Sequence, residues 1–346
     1  MDMAVISPNF TISNENDAFT FLETLKSLDA EAINDVEVSF DGWPVLDIVL
    51  KGKDYNSTIT PPIMVGLIEF QKALYRSFAL AKYNSVNINK LTNAEKDELE
   101  IKVSVSQGSS IIGIDLQKIL EKFMENASSK LDKKTIFGIA VIAGICYAGP
   151  TAYKTFLEEK RLQRQTEVKS QEELAKLENV KFAEEQETKR MELLTDLVSQ
   201  STQLSNIKTY SEDSKVKLIK SLRKVDKALI EGVEVDGEVA TELSKNARNK
   251  SIPIRLDGIY RVLIVDTTVP SHIRIKVKDM SNQETFTAAI FDNSLDQKYK
   301  TLIQEAEWSK LPIQLLINAK DVGGQIKGAE VISATKIDIE DTPNLD

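Results

Sequence analysis

Arg274, Lys276 and Lys278 recur at every second residue and alternate with Ile273, Ile275 and Val277. That spacing puts three cations on one face of a strand and the apolar residues on the other. Phe286 and Phe291 follow in the next alternating run. Cations beside aromatic rings are what an extended single strand or a polyanionic ligand requires: charge for the backbone, flat surfaces for bases. The two phenylalanines have opposite parity, so at most one shares the cations' face. Asp257, Asp266, Asp279, Asp292 and Asp296 keep the surroundings near neutral. A solvated basic strand face is the plainer expectation, with Arg274, Lys276, Lys278 and Phe286 as the residues that would hold a ligand.

Other reactive patterns are sparse. Gly108-Ser109-Ser110 precedes an apolar helical pattern, but it lacks the lysine and glycine spacing of a phosphate loop and reads as a turn. Glu69 and Arg76 lie on one apolar helix and read as an ion pair that sets register. One cysteine, Cys146, excludes a disulfide within the chain. One histidine, His272, excludes histidine-rich metal clusters and reads as a polar surface residue. No Ser or Cys nucleophile beside a histidine, no paired carboxylates and no glycine-rich phosphate loop rises above chance. The expectation is a protein that is not an enzyme and holds no metal or cofactor. Asp338, Glu340 and Asp341 give an acidic tail over 338–346 that reads as solvating.

Thr135 to Tyr153 contains no charged residue, with Lys133 and Lys134 before it and Lys154 after it. Its roughly 19 residues span about 28 Å as a helix, close to the apolar thickness of a bilayer. This predicts a single transmembrane helix over 135–153. Ala140, Gly144 and Ala148 recur every fourth residue and form a small-residue seam through which spans could self-associate. The competing expectation is the buried core helix of a soluble fold. Gly149-Pro150 weakens the far end. Lysine and arginine are balanced on the two sides, so orientation is open. The N-terminus has no signal-peptide pattern.

The flanking segments must position these features. Residues 1–130 read as a soluble α+β domain. It has a helix from Asp17, a hairpin of Val36–Phe40 and Leu46–Leu50 joined by Asp41-Gly42, and a long helix after Pro61-Pro62 with Leu67, Phe70, Leu74 and Phe78 in a stripe. A strand over Leu99–Val105 and a helix from Asp115 follow. Residues 154–249 read as a charged helical stalk or bundle. No glycine or proline interrupts Glu158–Glu192, no clean heptad runs through it, and Ser211-Glu212-Asp213-Ser214 marks a later helix start.

After Asn249 the period becomes alternating. Strands over Ile252–Asp266, His272–Lys278 and Thr285–Phe291 precede a helix, Leu295–Trp308, and two more strands, Pro312–Asp321 and Gln325–Ile337. This β-β-β-α-β-β order over 250–337 resembles an OB-fold, which implies a five-stranded barrel and a ligand face on its second and third strands.

These readings combine into an α+β protein with a membrane helix, a charged stalk and an OB-like domain. The functional expectation is a membrane-anchored, homo-oligomeric interaction or sensor protein, in its sharper form a membrane effector. Its partners would be the lipid bilayer, further copies through span and stalk, and an unidentified protein or ligand. A bacterial inner-membrane location fits the lysine-, asparagine- and isoleucine-rich composition. A net charge of -9 disfavours nucleic acid as the main partner. The alternatives are an OB-domain scaffold for nucleic acid or another ligand, and an enzyme with an unrecognised site.

Overall fold

The computed structural model describes residues 9–337 apart from 30–31, 86, 106–109, 129–130, 169, 179, 200, 246–250, 270, 281–284, 292–295 and 323–324. The chain is a mixed α+β protein of two compact units, Met1–Arg248 and Asn249–Asp346. Gly108 and Ser109 of the glycine-serine turn and the acidic tail lie outside the described residues.

The first unit runs β1 (Asn9–Ile12), α1 (Glu15–Ser27), β2 (Glu37–Phe40), β3 (Val45–Lys51), α2 (Pro61–Tyr83), α3 (Asn93–Glu98), β4 (Ser104–Val105), β5 (Ser110–Asp115) and α4 (Gln117–Glu125). It continues with α5 (Lys133–Ala148), α6 (Pro150–Glu167), α7 (Gln171–Glu178), α8 (Glu185–Ser199), α9 (Thr202–Ser221), β6 (Lys227–Ile230), β7 (Val233–Asp236) and α10 (Gly237–Ser244).

The expected hairpin does not form. β2 pairs in parallel with β1, whereas β3 pairs with β5 and β6 in a five-stranded sheet ordered β4-β5-β3-β6-β7. Leu46, Ile48 and Leu50 of β3 are all buried, so their parity commits β3 to that sheet. The strand expected over 99–105 shrinks to Ser104–Val105, because Leu99 ends α3 and is buried there. α2 begins on its prolines, and its stripe of Leu67, Phe70, Leu74 and Phe78 is buried as expected.

The region after α5 is not a stalk. β6 and β7 come from it and complete the sheet begun by β3 and β5. α9 packs along α2. The crossing is close at Gly66, where a Cβ would lie 3.0 Å from Ser221 Oγ. The charged helix breaks after Glu167, where Val168 turns to extended backbone and is buried. Leu177, Phe182, Ala183, Met191, Leu194 and Val198 are buried as well, so this stretch wraps the unit's core. Ser211 and Ser214 lie inside α9, each hydroxyl donating to a carbonyl three residues earlier. The helix start is Ser201, whose side chain caps Leu204 N.

The apolar stretch takes a form that corrects the single-span expectation. Among the described residues no single helix is long and apolar enough to cross a membrane. Residues 135–153 divide at Gly149 between α5 and α6, which meet at 59°. Proline at the first position of α6 cannot continue the hydrogen bonding of α5. Every residue of α5 from Phe137 to Ala148 is buried in the unit. Phe137 meets Phe21 edge-on, Tyr147 meets Phe70, and Tyr147 Oη lies 2.8 Å from Ser77 Oγ. Lys133 Nζ donates to Asn34 O and Lys134 Nζ to Leu28 O, so both lysines tie α5 to the chain after α1.

The second unit contains β8 (Ser251–Arg255), β9 (Gly258–Asp266), β10 (His272–Asp279), β11 (Thr285–Phe291), α11 (Gln297–Ser309), β12 (Ile313–Val322) and β13 (Gln325–Lys336). The first expected strand is broken at Leu256-Asp257 into β8 and β9. β9 pairs with β10, β10 with β11, β11 in parallel with β13, β13 with β12, and β12 with β9. The pairings thus return to the strand on which they began, with β8 added beside the far half of β12. Tyr260, Val262, Ile275, Val277, Ala288, Ile290, Leu315, Ile317 and Val331 fill the space between them.

Candidate functional site

The alternation in β10 is clean. Ile275 and Val277 are fully buried, Arg274 and Lys276 are exposed, and Lys278 is half-buried. Register then fixes what flanks each cation. Lys276 stands opposite Thr287 on β11 and Ile264 on β9. Lys278 stands opposite Thr285 and Arg261, and Arg274 opposite Ala289 and Asp266. Arg261 is a fourth cation on this face. It was not legible as such, because a bulge between Lys276 and Val277 shifts the β9 register. The same shift leaves Leu263 and Ile264 both exposed, at 40% and 52%.

Cations two residues apart on one strand are separated by roughly 6.6–6.8 Å. Arg261, Lys276 and Lys278 form no ion pair among the described residues, so their charge is available to a ligand. Arg274 has Asp266 across the ladder. The hydroxyl and amide of Thr268 hold the Asp266 carboxylate below its usual range, with smaller contributions from Arg274 and His272.

The aromatic residues separate by parity. Phe286 points inward, half-buried against the core, with its ring edge-on to Tyr260 at 5.7 Å. The expectation that it lines a ligand face is corrected: its odd-numbered neighbours Thr285 and Thr287 face out instead. Phe291 is the outward aromatic, 38% exposed. It stands opposite His272 in register, with the two rings 5.3 Å apart and tilted by 39°. Ser271 Oγ lies 2.9 Å from His272 Nδ1. The face of β9, β10 and β11 therefore carries a row of cations, two threonine hydroxyls, an apolar step at Ile264 and a paired ring surface at one end.

The small-residue seam is used within the chain. Ala140, Gly144 and Ala148 are all buried. A Cβ on Gly144 would lie 2.9 Å from Trp43 Cη2 and 3.0 Å from Leu120 Cδ1. The expected ion pair on α2 also resolves differently. Glu69 pairs with Lys72, while Arg76 is buried with its guanidinium over the Tyr210 ring.

Among the described residues, a cavity of about 300 Å³ in the first unit is lined by Leu22, Leu25, Gly138, Ile142 and Leu204, and two others are larger than it. One, of about 560 Å³ in the first unit, is lined by Lys176, Arg223, Lys224, Asp226, Asp236 and Glu238, with both signs interleaved. The other, of about 410 Å³ in the second unit, is lined by Leu302, Trp308, Leu311, Ile313 and Ile337. No group of three or more potential metal ligands occurs among the described residues. Comparison of the chain with protein-family models, curated proteins and solved structures gives no match.

Proposed function

We propose that the second unit is an OB-like five-stranded barrel that binds single-stranded nucleic acid along the outer face of β9, β10 and β11. The barrel reading is supported by the closed circuit of pairings, by the parallel pairing of β11 with β13, and by the position of α11 between β11 and β12. The binding reading is carried by one observation: Arg261, Lys276 and Lys278, in no ion pair among the described residues, share a face with the Phe291–His272 ring pair. Cations track the phosphates, and a ring surface stacks a base with little regard to its identity. The acidic balance of the whole chain, -9, limits non-specific coating and confines attraction to this face. Photo-cross-linking to a halogenated single-stranded oligonucleotide tests the placement. Label on Phe291 or His272 is expected, and label confined to residues outside 258–291 contradicts it.

A second reading, membrane attachment by a broken span, is favoured by one observation. α5 and α6 together meet the length and composition of such a span. It requires α5 to leave its packing against Trp43, Leu120, Phe70 and Phe21. Flotation with anionic vesicles separates the two readings: co-flotation that survives high salt supports attachment, and protein left in the dense fraction removes it.

A further inference from the structure

We infer that the cavity of about 300 Å³ walled by α1, α5, α8 and α9 binds a single-chain amphiphile with an anionic head, of the class of medium-chain carboxylic acids. A glycine on α5 points to it. Glycine inside a helix is less stable than alanine, so it marks a place where a side chain does not fit or where the space is used. Gly66, Gly144 and Gly237 are of the first kind: a Cβ on each would lie within 3.0 Å of an atom already there. Gly138 is of the second kind. Among the described residues, a Cβ at Gly138 would meet one atom inside 4 Å, Leu25 Cδ2 at 3.8 Å, an ordinary van der Waals distance. What the missing side chain leaves open is the cavity, and Gly138 lies in its wall.

That wall has two chemistries. Leu22, Leu25, Ile142 and Leu204 are buried, with Leu197 half-buried beside them. The polar lining is Lys26, Asp132, Lys134, Thr135 and Ser201, none of them buried. An apolar slot whose polar groups stand on the solvent side takes a ligand end-on, chain inward and head outward. The volume is at the lower end of the range for ligand pockets, about 300–1,000 Å³, which suits one alkyl chain rather than a two-chain lipid.

The sign of the head follows from the partners at the rim. Asp132 is the one carboxylate among the described lining residues, and both its oxygens are engaged. Thr135 N donates to Oδ1 at 2.7 Å and Thr135 Oγ1 to Oδ2 at 3.0 Å. Lys134 Nζ is held at the rim by Leu28 O at 2.9 Å. Lys134 and Lys26 are in no ion pair among the described residues. Ser201 caps α9 with a neutral hydroxyl, so the positive end of that helix adds to the two ammonium groups. A carboxylate head is matched there, and a cationic head is not.

Equilibrium dialysis of the full chain against decanoate, below the concentration at which it forms micelles, tests the site. Saturable binding is expected, tightening about fourfold per methylene from hexanoate to decanoate. Decanol, which has the chain without the charge, should bind severalfold more weakly. Lys26→Glu should weaken decanoate severalfold and leave decanol unchanged. Gly138→Leu fills the cavity and should fold while losing about tenfold or more in decanoate affinity. Without ligand, Gly138→Ala should raise the melting temperature, since its methyl enters open space. Absence of saturable decanoate binding, wild-type affinity in Gly138→Leu, or equal affinity for decanol and decanoate overturns the inference. A lower melting temperature for Gly138→Ala, or a Gly138→Leu chain that does not fold, shows that the space is absent and overturns it as well.

Discussion

Glu95 shows how single residues hold the first unit. Lys82 Nζ and Tyr83 Oη donate to one of its oxygens, and Thr92 N and Oγ1 to the other. Burial pushes its carboxyl up, but these donors outweigh it and bring it down to about 2. A depressed carboxyl stabilises the fold above its unfolded value, near 4.5, and that stabilisation is lost as pH falls through about 2. Glu95→Gln should therefore lower the melting temperature at pH 7, with the gap from wild type closing near pH 2; a gap independent of pH contradicts the assignment. In the second unit the two phenylalanines should separate by assay. Phe286→Ala is expected to cost about 2–3 kcal/mol of stability, less than a fully buried phenylalanine, in chemical denaturation. Phe291→Ala should leave the stability within about 0.5 kcal/mol of wild type and weaken single-strand binding severalfold.

At the scale of elements, α5 is the instructive case. Its charge-free run from Thr135 is compatible with a bilayer and with a protein core, because both environments exclude unpaired charge. What separates them is the long-range company the helix keeps. Trp43, Leu120, Phe70 and Phe21 come from four distant segments, and nothing local in 135–153 announces them. The helix stripe of α2 and the alternation of β10 were legible, since period reports burial within one element. The pairing of β3 with β6 was not, because about 180 residues of chain separate the partners. Parity allowed only one of Phe286 and Phe291 to face out, and the expectation chose Phe286; the pairing of β11 with β10 turns it inward, and Arg261 joined the basic face only through a bulge. Gly144→Leu tests the core role of α5. It should overpack against Trp43 and Leu120 and lower stability by about 1–3 kcal/mol or more. An unchanged melting temperature contradicts that role.

At the scale of the molecule, two compact units divide the chain near Asn249. The first buries its most apolar helix and closes a five-stranded sheet with strands from both ends of its length. The second carries Arg261, Lys276 and Lys278 on one face, in no ion pair among the described residues. The proposed binding activity rests on that face and is tested most directly by fluorescence anisotropy of a labelled single-stranded oligonucleotide against the full chain. Wild type is predicted to bind with an affinity that falls steeply with salt. The Lys276→Glu, Lys278→Glu double variant should bind at least tenfold more weakly, with a shallower salt dependence. Absence of wild-type binding, or equal affinity and salt slope for the two proteins, would contradict the account.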